Sequence, residues 1–257
     1  ARLAEVYVND AFGTMHRAHA STDAVPRLVK KAAAGYLVQN EIDLLSGVLD
    51  SPEMPFYAVV GGAKVPDKIK VIENLLKLGK VLIGGGMVFT FFKVMGYEIG
   101  NSLLEKKCVG LAEGLIGHEN LVLPTDVAIC QDFDGKGEVR YVGAQEIEKG
   151  WIGLDIGPES IAEYQRILKD GKTVIWAGPM GRYEVSKFAK GTEGVAKAMA
   201  AIRGVSIVGG GDSAAAIETL GYSKEMTHIS TGGSAFLEFM EGKTLPGIQA
   251  LVDCYRK

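Results

Sequence analysis

Short apolar, often β-branched runs that end in glycine recur along this chain, and the recurrence constrains its fold more than any other feature. Phe56 to Val60 runs into Gly61-Gly62, Val81 to Ile83 into Gly84-Gly85-Gly86, and Thr173 to Ala177 into Gly178-Pro179. Val205 to Val208 runs into Gly209-Gly210-Gly211, and Thr227 to Ser230 into Thr231-Gly232-Gly233. Segments of helical period follow most of these corners. Strands alternating with helices imply an α/β fold built on a parallel sheet covered on both faces, and such a sheet gathers its ligand-binding corners at the carboxyl ends of the strands. The five glycine clusters are therefore expected along one rim, and Ile152 to Ile156 reads as a further strand of the same kind.

The sharpest corner is V-S-I-V-G-G-G-D-S-A-A-A-I, Val205 to Ile217. Glycines without Cβ atoms let backbone N–H groups approach a ligand closely, and the N-terminus of the helix that follows adds partial positive charge, so the corner suits a phosphate. Asp212 beside a polyphosphate is repelled unless a cation lies between them, which points to a Mg-nucleotide. Two other readings stand beside this one. Asp212 also suits an ordinary N-cap, and Gly209 to Ala214 satisfies G-x-G-x-x-A, the pattern of a dinucleotide site, although Ser230-Thr231 closes the next strand where a ribose-binding acid is expected.

Other corners carry candidate polar groups. Lys64 and Lys68, one helical turn apart after Gly61-Gly62, can both reach a phosphate rim, although a solvated helix face would look the same; no G-x-x-x-x-G-K-[ST] loop is present. Trp176 to Glu184 forms a rigid corner in which Pro179 fixes shape and Glu184 can accept hydrogen bonds from ribose hydroxyls. Thr231-Gly232-Gly233 opens a second helix N-terminus on the same rim. In the opening loop, Asn9 to Asp23, Arg17 can bind a phosphate or carboxylate bidentately, while His16 gives no separate signal.

Leu3 to Val8 reads as a strand, and Pro26 is expected to start one long helix running to Asp50, able to bridge two lobes. Pro66 opens a helix with Ile69, Ile72 and Leu76 on one face; an apolar helix runs through Met95, and another from about Ser102 to Ile116. Asp132 to Tyr141 looks like a hairpin turning at Asp134-Gly135 and interrupts the alternation.

Composition narrows the function classes. A formal net charge of -3 gives no global basic field, so neither nucleic acid nor an anionic membrane is expected as a partner. The most apolar run, Val81 to Phe92, is too short and glycine-rich to span a bilayer. The 3 cysteines form no CxxC, which suggests neither a disulfide framework nor a zinc site and fits a reducing cytoplasm. No leader pattern begins the chain, and its start at Ala1 suggests a processed or fragmentary polypeptide.

Six ordered segments together resemble the phosphoglycerate kinase family: V-Y-V-N-D-A-F-G-T-M-H-R-A-H-A-S from Val6, G-G-A-K-V-P-D-K-I from Gly61, G-L-D-I-G-P-E from Gly153, G-P-M-G-R-Y-E from Gly178, G-G-G-D-S-A from Gly209 and H-I-S-T-G-G from His228. The resemblance implies a Rossmann-like parallel sheet with helices on both faces, and phosphoryl transfer between 1,3-bisphosphoglycerate and Mg-ADP giving 3-phosphoglycerate and ATP. It implies Lys68 on the transferring group, Lys64 on the nucleotide phosphates, and Gly85, Gly86, Gly153 and Pro179 around the nucleotide. Glu184 would hold the ribose, Asp212 the Mg2+ and Ser213 the phosphates. Gly210, Gly211, Thr231 and Gly232 would stabilise transition-state charge at two helix ends. Arg17 would bind the phosphoglycerate phosphate.

The resemblance also implies residues 1–25 as the remnant of an acid-binding domain, 26–52 as an interdomain helix, 53–245 as the nucleotide-binding domain and 246–257 as a C-terminal tail. The rest of the acid-binding domain is then the expected partner, held in a separate chain, and turnover is expected to need it. Four residues depart from the family pattern: Ala177 stands for a usual asparagine, Arg182 for valine, Ser234 for glycine and Phe236 for serine.

Overall fold

The computed structural model describes residues 1–63, 66 and 68–256. Its first elements are strand β1 (Val6–Asn9), helix α1 (Val25–Leu28), strand β2 (Lys31–Ala34) and helix α2 (Tyr36–Asp50). The single helix expected from Pro26 to Asp50 is thus corrected to a short helix, a strand and a 15-residue helix. The physical reason is tertiary. β1 offers a parallel partner, with Val6 opposite Lys31 and Asn9 opposite Ala34, and strand pairing overrides the helix propensity of the alanines. Gly35 has no side chain with which to cap α2, and the Asp10 carboxylate does so instead, accepting the Val38 N–H at 3.1 Å.

The alternating part then runs β3 (Phe56–Val60), α3 (Ile69–Leu75), β4 (Lys80–Ile83), α4 (Val88–Val94), α5 (Val109–Glu113) and β5 (Leu121–Val122). The helix expected from Ser102 to Ile116 shrinks to α5 and the tight turn before it. Ser102 Oγ accepts the Gly153 N–H and Thr90 Oγ1 accepts the Glu105 N–H, and these tethers hold residues 102–105 out of a helix. Three strands follow, β6 (Asp126–Cys130), β7 (Val139–Gly143) and β8 (Ile152–Ile156), forming an antiparallel sheet in the order β7-β6-β8. The hairpin is where the sequence puts it. Ile152 to Ile156, however, pairs with β6 rather than joining the parallel sheet, which corrects that expectation.

The remaining elements are α6 (Pro158–Leu168), β9 (Thr173–Ala177), α7 (Lys190–Ala201), β10 (Val205–Gly209), α8 (Gly211–Leu220), β11 (His228–Ile229), α9 (Ser234–Met240) and α10 (Pro246–Tyr255). The main sheet has six parallel strands in the order β11-β10-β9-β3-β4-β5.

Strand periodicity sorts the buried side chains into two cores. Ala58, Val60, Val81, Ile83, Ile175 and Ile207 face one side and pack with Ile72 and Leu75 of α3, Phe91 of α4, Leu45 of α2 and Phe236 of α9. Val59, Leu82, Val174, Trp176 and Val208 face the other and pack with Tyr164 of α6, Val195 and Met199 of α7 and Ile217 of α8. The sheet is therefore buried on both faces, as near-continuous apolar strands require. At the N-terminal end Arg27 links Asp23 to Asp253 of α10, so the last helix lies against the first residues. Val6, Val8, Leu28 and Tyr36 stay exposed there.

Candidate functional site

The carboxyl ends of β3, β4, β9, β10 and β11 lie along one rim, as the glycine clusters imply. Strand pairing continues past the strand ends and ties the corners to one another. Gly61 N–H donates to Ala177 O, Gly62 N–H to Pro179 O, Gly84 N–H to Val60 O and Gly85 N–H to Met180 O. A loop set held by backbone bonds is preformed, which is what a binding rim needs.

Two adjoining cavities open on this rim. The larger, about 520 Å³, is lined by Gly85, Gly86, Gly153, Pro179, Glu184 and Asp212, together with Leu103, Leu154, Phe133, Arg182 and Tyr183. The smaller, about 310 Å³, is lined by Lys68, Gly210, Gly211, Asp212 and Ser213, with Ala177, Gly178, Gly233 and Ser234. Gly62, Ala63 and Asp212 belong to both. Lys64 lies outside the described residues.

Each end has a distinct chemistry. In the smaller cavity the buried Lys68 ammonium is held by the carbonyls of Gly61 and Ala177, which fixes a positive charge at the tips of β3 and β9. Gly210 N-caps α8 at φ 90°, ψ 140°, a conformation that a side chain opposes, and it leaves the first turn of the helix open to the cavity. Ser213 Oγ is fully buried and accepts the Gly178 N–H, locking the β9 corner to the start of α8. In the larger cavity, burial and then the Glu184 and Asp212 carboxylates push the Tyr183 phenol up. Asp212 is exposed where the cavities meet. Among the described residues no group of three or more His, Cys, Asp and Glu side chains is gathered to hold a metal by itself. A single carboxylate facing a phosphate site fits Mg2+, which takes its other ligands from phosphates and water.

Two of the expected charge-stabilising groups are not brought into the cavities. Thr231 donates its N–H (2.7 Å) and its hydroxyl (2.9 Å) to Glu41 of α2, while Gly232 is buried against Phe12 and donates its N–H to Ser230 Oγ. The α9 end of the smaller cavity is formed by Gly233 and Ser234. Arg17 lines a separate depression of about 480 Å³ with His16, Lys70 and Lys243. That depression shares Ser234 and Leu237 with the smaller cavity, so it borders the rim without facing the larger cavity.

The sequence reading missed Glu41. Its carboxylate is 1% exposed, and His228 Nε2 stands 2.9 Å from Oε2. Burial pushes the carboxyl up, but hydrogen bonds from His228, Thr231 and Ser230 outweigh it and hold it below 4.5. The signal was present, because Val38, Glu41, Leu45 and Val48 occupy one helical stripe and an acid there interrupts an otherwise apolar face. Asp155 was missed too. It accepts the Gly191 and Ile156 N–H groups behind the Gly181 corner, and burial pushes it up to about 8.

Of the four departures, Phe236 has a clear steric role. Its ring lies over Gly209, where an added Cβ would come within 2.2 Å of Cε1. Gly209→Ala should therefore destabilise the chain by about 1–3 kcal/mol through overpacking. Phe236→Ser should relieve much of that clash, and a double-mutant cycle in urea would measure the coupling; additive effects would contradict the packing account.

The family model described as phosphoglycerate kinase matches residues 1–243. The cytosolic phosphoglycerate kinase of Nicotiana tabacum is 52% identical over 262 residues, and the phosphoglycerate kinase of Trichodesmium erythraeum is 51% identical over 260. Each alignment covers 98% of this chain and 65% of the relative, so the chain spans less than two thirds of the curated relatives it matches. The structure of phosphoglycerate kinase from Coxiella burnetii superposes with a TM-score of 0.91 at 38% identity, covering 98% of this chain and 66% of that one. The crystal structure of phosphoglycerate kinase from Pyrococcus horikoshii gives a TM-score of 0.87 at 33% identity, covering 100% and 66%.

Proposed function

The chain belongs to the phosphoglycerate kinase family, and from that membership we propose that it is the nucleotide-binding part of an enzyme moving a phosphoryl group between 1,3-bisphosphoglycerate and Mg-ADP. The observation that carries this reading is the pair of cavities joined at Asp212. The larger has apolar walls and an exposed acid, Glu184, suited to a base and a ribose; the smaller has a fixed ammonium and the open end of a ten-residue helix, suited to phosphates.

In this mechanism the substrate acyl phosphate reacts directly with the nucleotide, and the protein contributes position and charge. Lys68 neutralises charge on the transferring group. The N–H groups at Gly210 and Gly211 face its oxygens, and Ser213 keeps that corner rigid. Asp212 would hold the Mg2+, which would supply positive charge to offset that of the phosphates. Gly85, Gly86, Gly153 and Pro179 shape the nucleotide wall, Lys64 adds a phosphate contact, and Arg17 holds the anionic end of the other substrate. Thr231 and Gly232 act one step removed, by fixing the loop that presents Gly233 and Ser234.

On this reading residues 1–25 belong to an acid-binding domain, 26–52 connect the domains, 53–245 bind nucleotide and 246–257 form the tail. The remaining third of the relatives' length would cover the exposed Val6, Val8, Leu28 and Tyr36 and supply the other wall of the cleft. The partners are then small molecules, and the tobacco relative's name supports a cytosolic setting. No helix among the described residues is long and apolar enough to cross a membrane.

Titration calorimetry should show ADP binding to this chain alone that weakens at least about tenfold when a chelator removes Mg2+, as expected where a cation offsets Asp212 against the phosphates. Turnover with 3-phosphoglycerate and ATP should appear only when a domain supplying the other wall is added. Tight NAD binding without ADP binding would favour the dinucleotide pattern at Gly209 and sink this reading, as would ADP binding indifferent to Mg2+.

A further inference from the structure

The β6–β7 turn, residues 131–138, projects from the small antiparallel sheet and places Phe133 in the wall of the larger cavity. An exposed turn that carries a cavity wall needs something to hold it there. Part of its rigidity is local: Asp132 Oδ1 accepts the N–H groups of Asp134 and Lys136. These bonds shape the turn without fixing it to the rest of the molecule.

The fixing comes from the corner after β9. Arg182 stacks its guanidinium on the Phe133 ring, 3.8 Å from the centroid. Its Nη1 donates to the Phe133 carbonyl and, at 2.9 Å, to Asp134 Oδ1. Five residues on, Lys187 Nζ donates to Gly135 O at 2.9 Å. The arginine is itself anchored, since its N–H donates to Leu154 O of β8 and its carbonyl accepts the Val185 N–H. One planar cation thus meets a ring, a carbonyl and a carboxylate at once, a combination for which guanidinium is suited and ammonium is not.

We propose that Arg182 is a positioning residue that clasps the Phe133–Asp134 turn against the larger cavity, so that a purine base enters a site whose aromatic wall is already in place. The proposal rests on the nucleotide reading above. Arg182 acts through Phe133. With its face on the ring and Nη1 committed to the turn, the guanidinium raises affinity by removing the ordering cost of the wall rather than by gripping phosphate. The phosphates belong to the smaller cavity, which Arg182 does not line.

The test compares ADP with inorganic tripolyphosphate, which has no base, on the wild-type chain and on Arg182→Ala, both with Mg2+. Arg182→Ala should weaken ADP about tenfold, the scale of lost preorganisation, and leave tripolyphosphate within about twofold. Hydrogen exchange of the amides from Phe133 to Lys136 in the ligand-free chain should speed up in the same variant. Arg182→Lys should recover only part of the ADP affinity, and Asp134→Asn, which spares the ring and carbonyl contacts, should lose less than Arg182→Ala. These milder variants keep the test open if the alanine variant does not fold. Unchanged ADP affinity with unchanged exchange would overturn the proposal, and so would parallel weakening of ADP and tripolyphosphate. If the wild-type chain binds neither probe, the nucleotide reading fails instead, and the exchange comparison still decides whether Arg182 clasps the turn.

Discussion

Replacing Glu41 by alanine should destabilise the chain by about 3–5 kcal/mol, the cost of removing one partner from a buried, charge-assisted network. The donors that end on this carboxylate include His228 Nε2, the Thr231 N–H and the Thr231 hydroxyl. Alanine removes the acceptor these donors share. Glu41→Gln separates shape from charge. Its amide oxygen can still accept from Thr231, so the loss should fall to roughly 1–2 kcal/mol, the difference between charged and neutral hydrogen bonds.

The pH dependence has a definite sign. Glu41 is held below its usual 4.5 when folded, so the native state binds the proton more weakly than the unfolded chain. Its stabilisation is fully present above about 4.5 and is lost as pH falls through the lower folded value. Urea melts at pH 7 and at successively lower pH should show the wild-type advantage over Glu41→Gln shrinking in acid; an advantage that grew there would refute the assignment. Because Thr231 precedes the Gly233 and Ser234 wall, the alanine variant should also speed amide exchange between β11 and α9.

The second large effect is expected at Lys68. Lys68→Met keeps most of the side chain's length and apolar stem but removes the ammonium. Tripolyphosphate and ADP should then both bind more weakly by about 1.5–3 kcal/mol, the range for a hydrogen bond to a charged group. Lys68→Arg is not expected to rescue. The ammonium sits 2.3 Å from where a Gly178 Cβ would stand and 3.0 Å from the corresponding point on Gly62, leaving no width for a guanidinium. Calorimetry with both ligands checks this, and a methionine variant that bound tripolyphosphate normally would remove Lys68 from the phosphate site. Equal losses with both ligands at Lys68, set against an ADP-selective loss at Arg182, would place the two cations at opposite ends of one ligand.

What could be read from the sequence was whatever repeats locally. Glycine corners after apolar runs point to one rim because a parallel sheet leaves them nowhere else to go. What could not be read depends on partners distant in the chain. Lys31 to Ala34 looks helical until Val6 to Asn9 pairs with it, and α2 takes its cap from Asp10. Thr231 and Gly232 match a phosphate pattern while their N–H donors go to Glu41 and Ser230, and nothing local to Arg182 shows the β6–β7 turn that lies beneath it. Glu41 was legible in principle, as a charge on the apolar stripe of a helix.

The order of strands in the main sheet also dictates when the rim can come into being. β3 pairs with β9, and Phe56 meets Thr173 across nearly half the chain. During synthesis β3 and β4 emerge as a parallel pair with one edge open, and the whole β6–β8 sheet must be made before the strand that closes that edge exists. Until then Val60 and Gly61 present unpaired backbone groups, and the Lys68 ammonium lacks the Ala177 carbonyl that helps to hold it. Long-range closure of this kind is slow and leaves apolar strand edges open to other chains. The tips that form the phosphate cavity therefore belong to a late-closing part of the sheet, and nearly half the chain is synthesised with that edge needing protection.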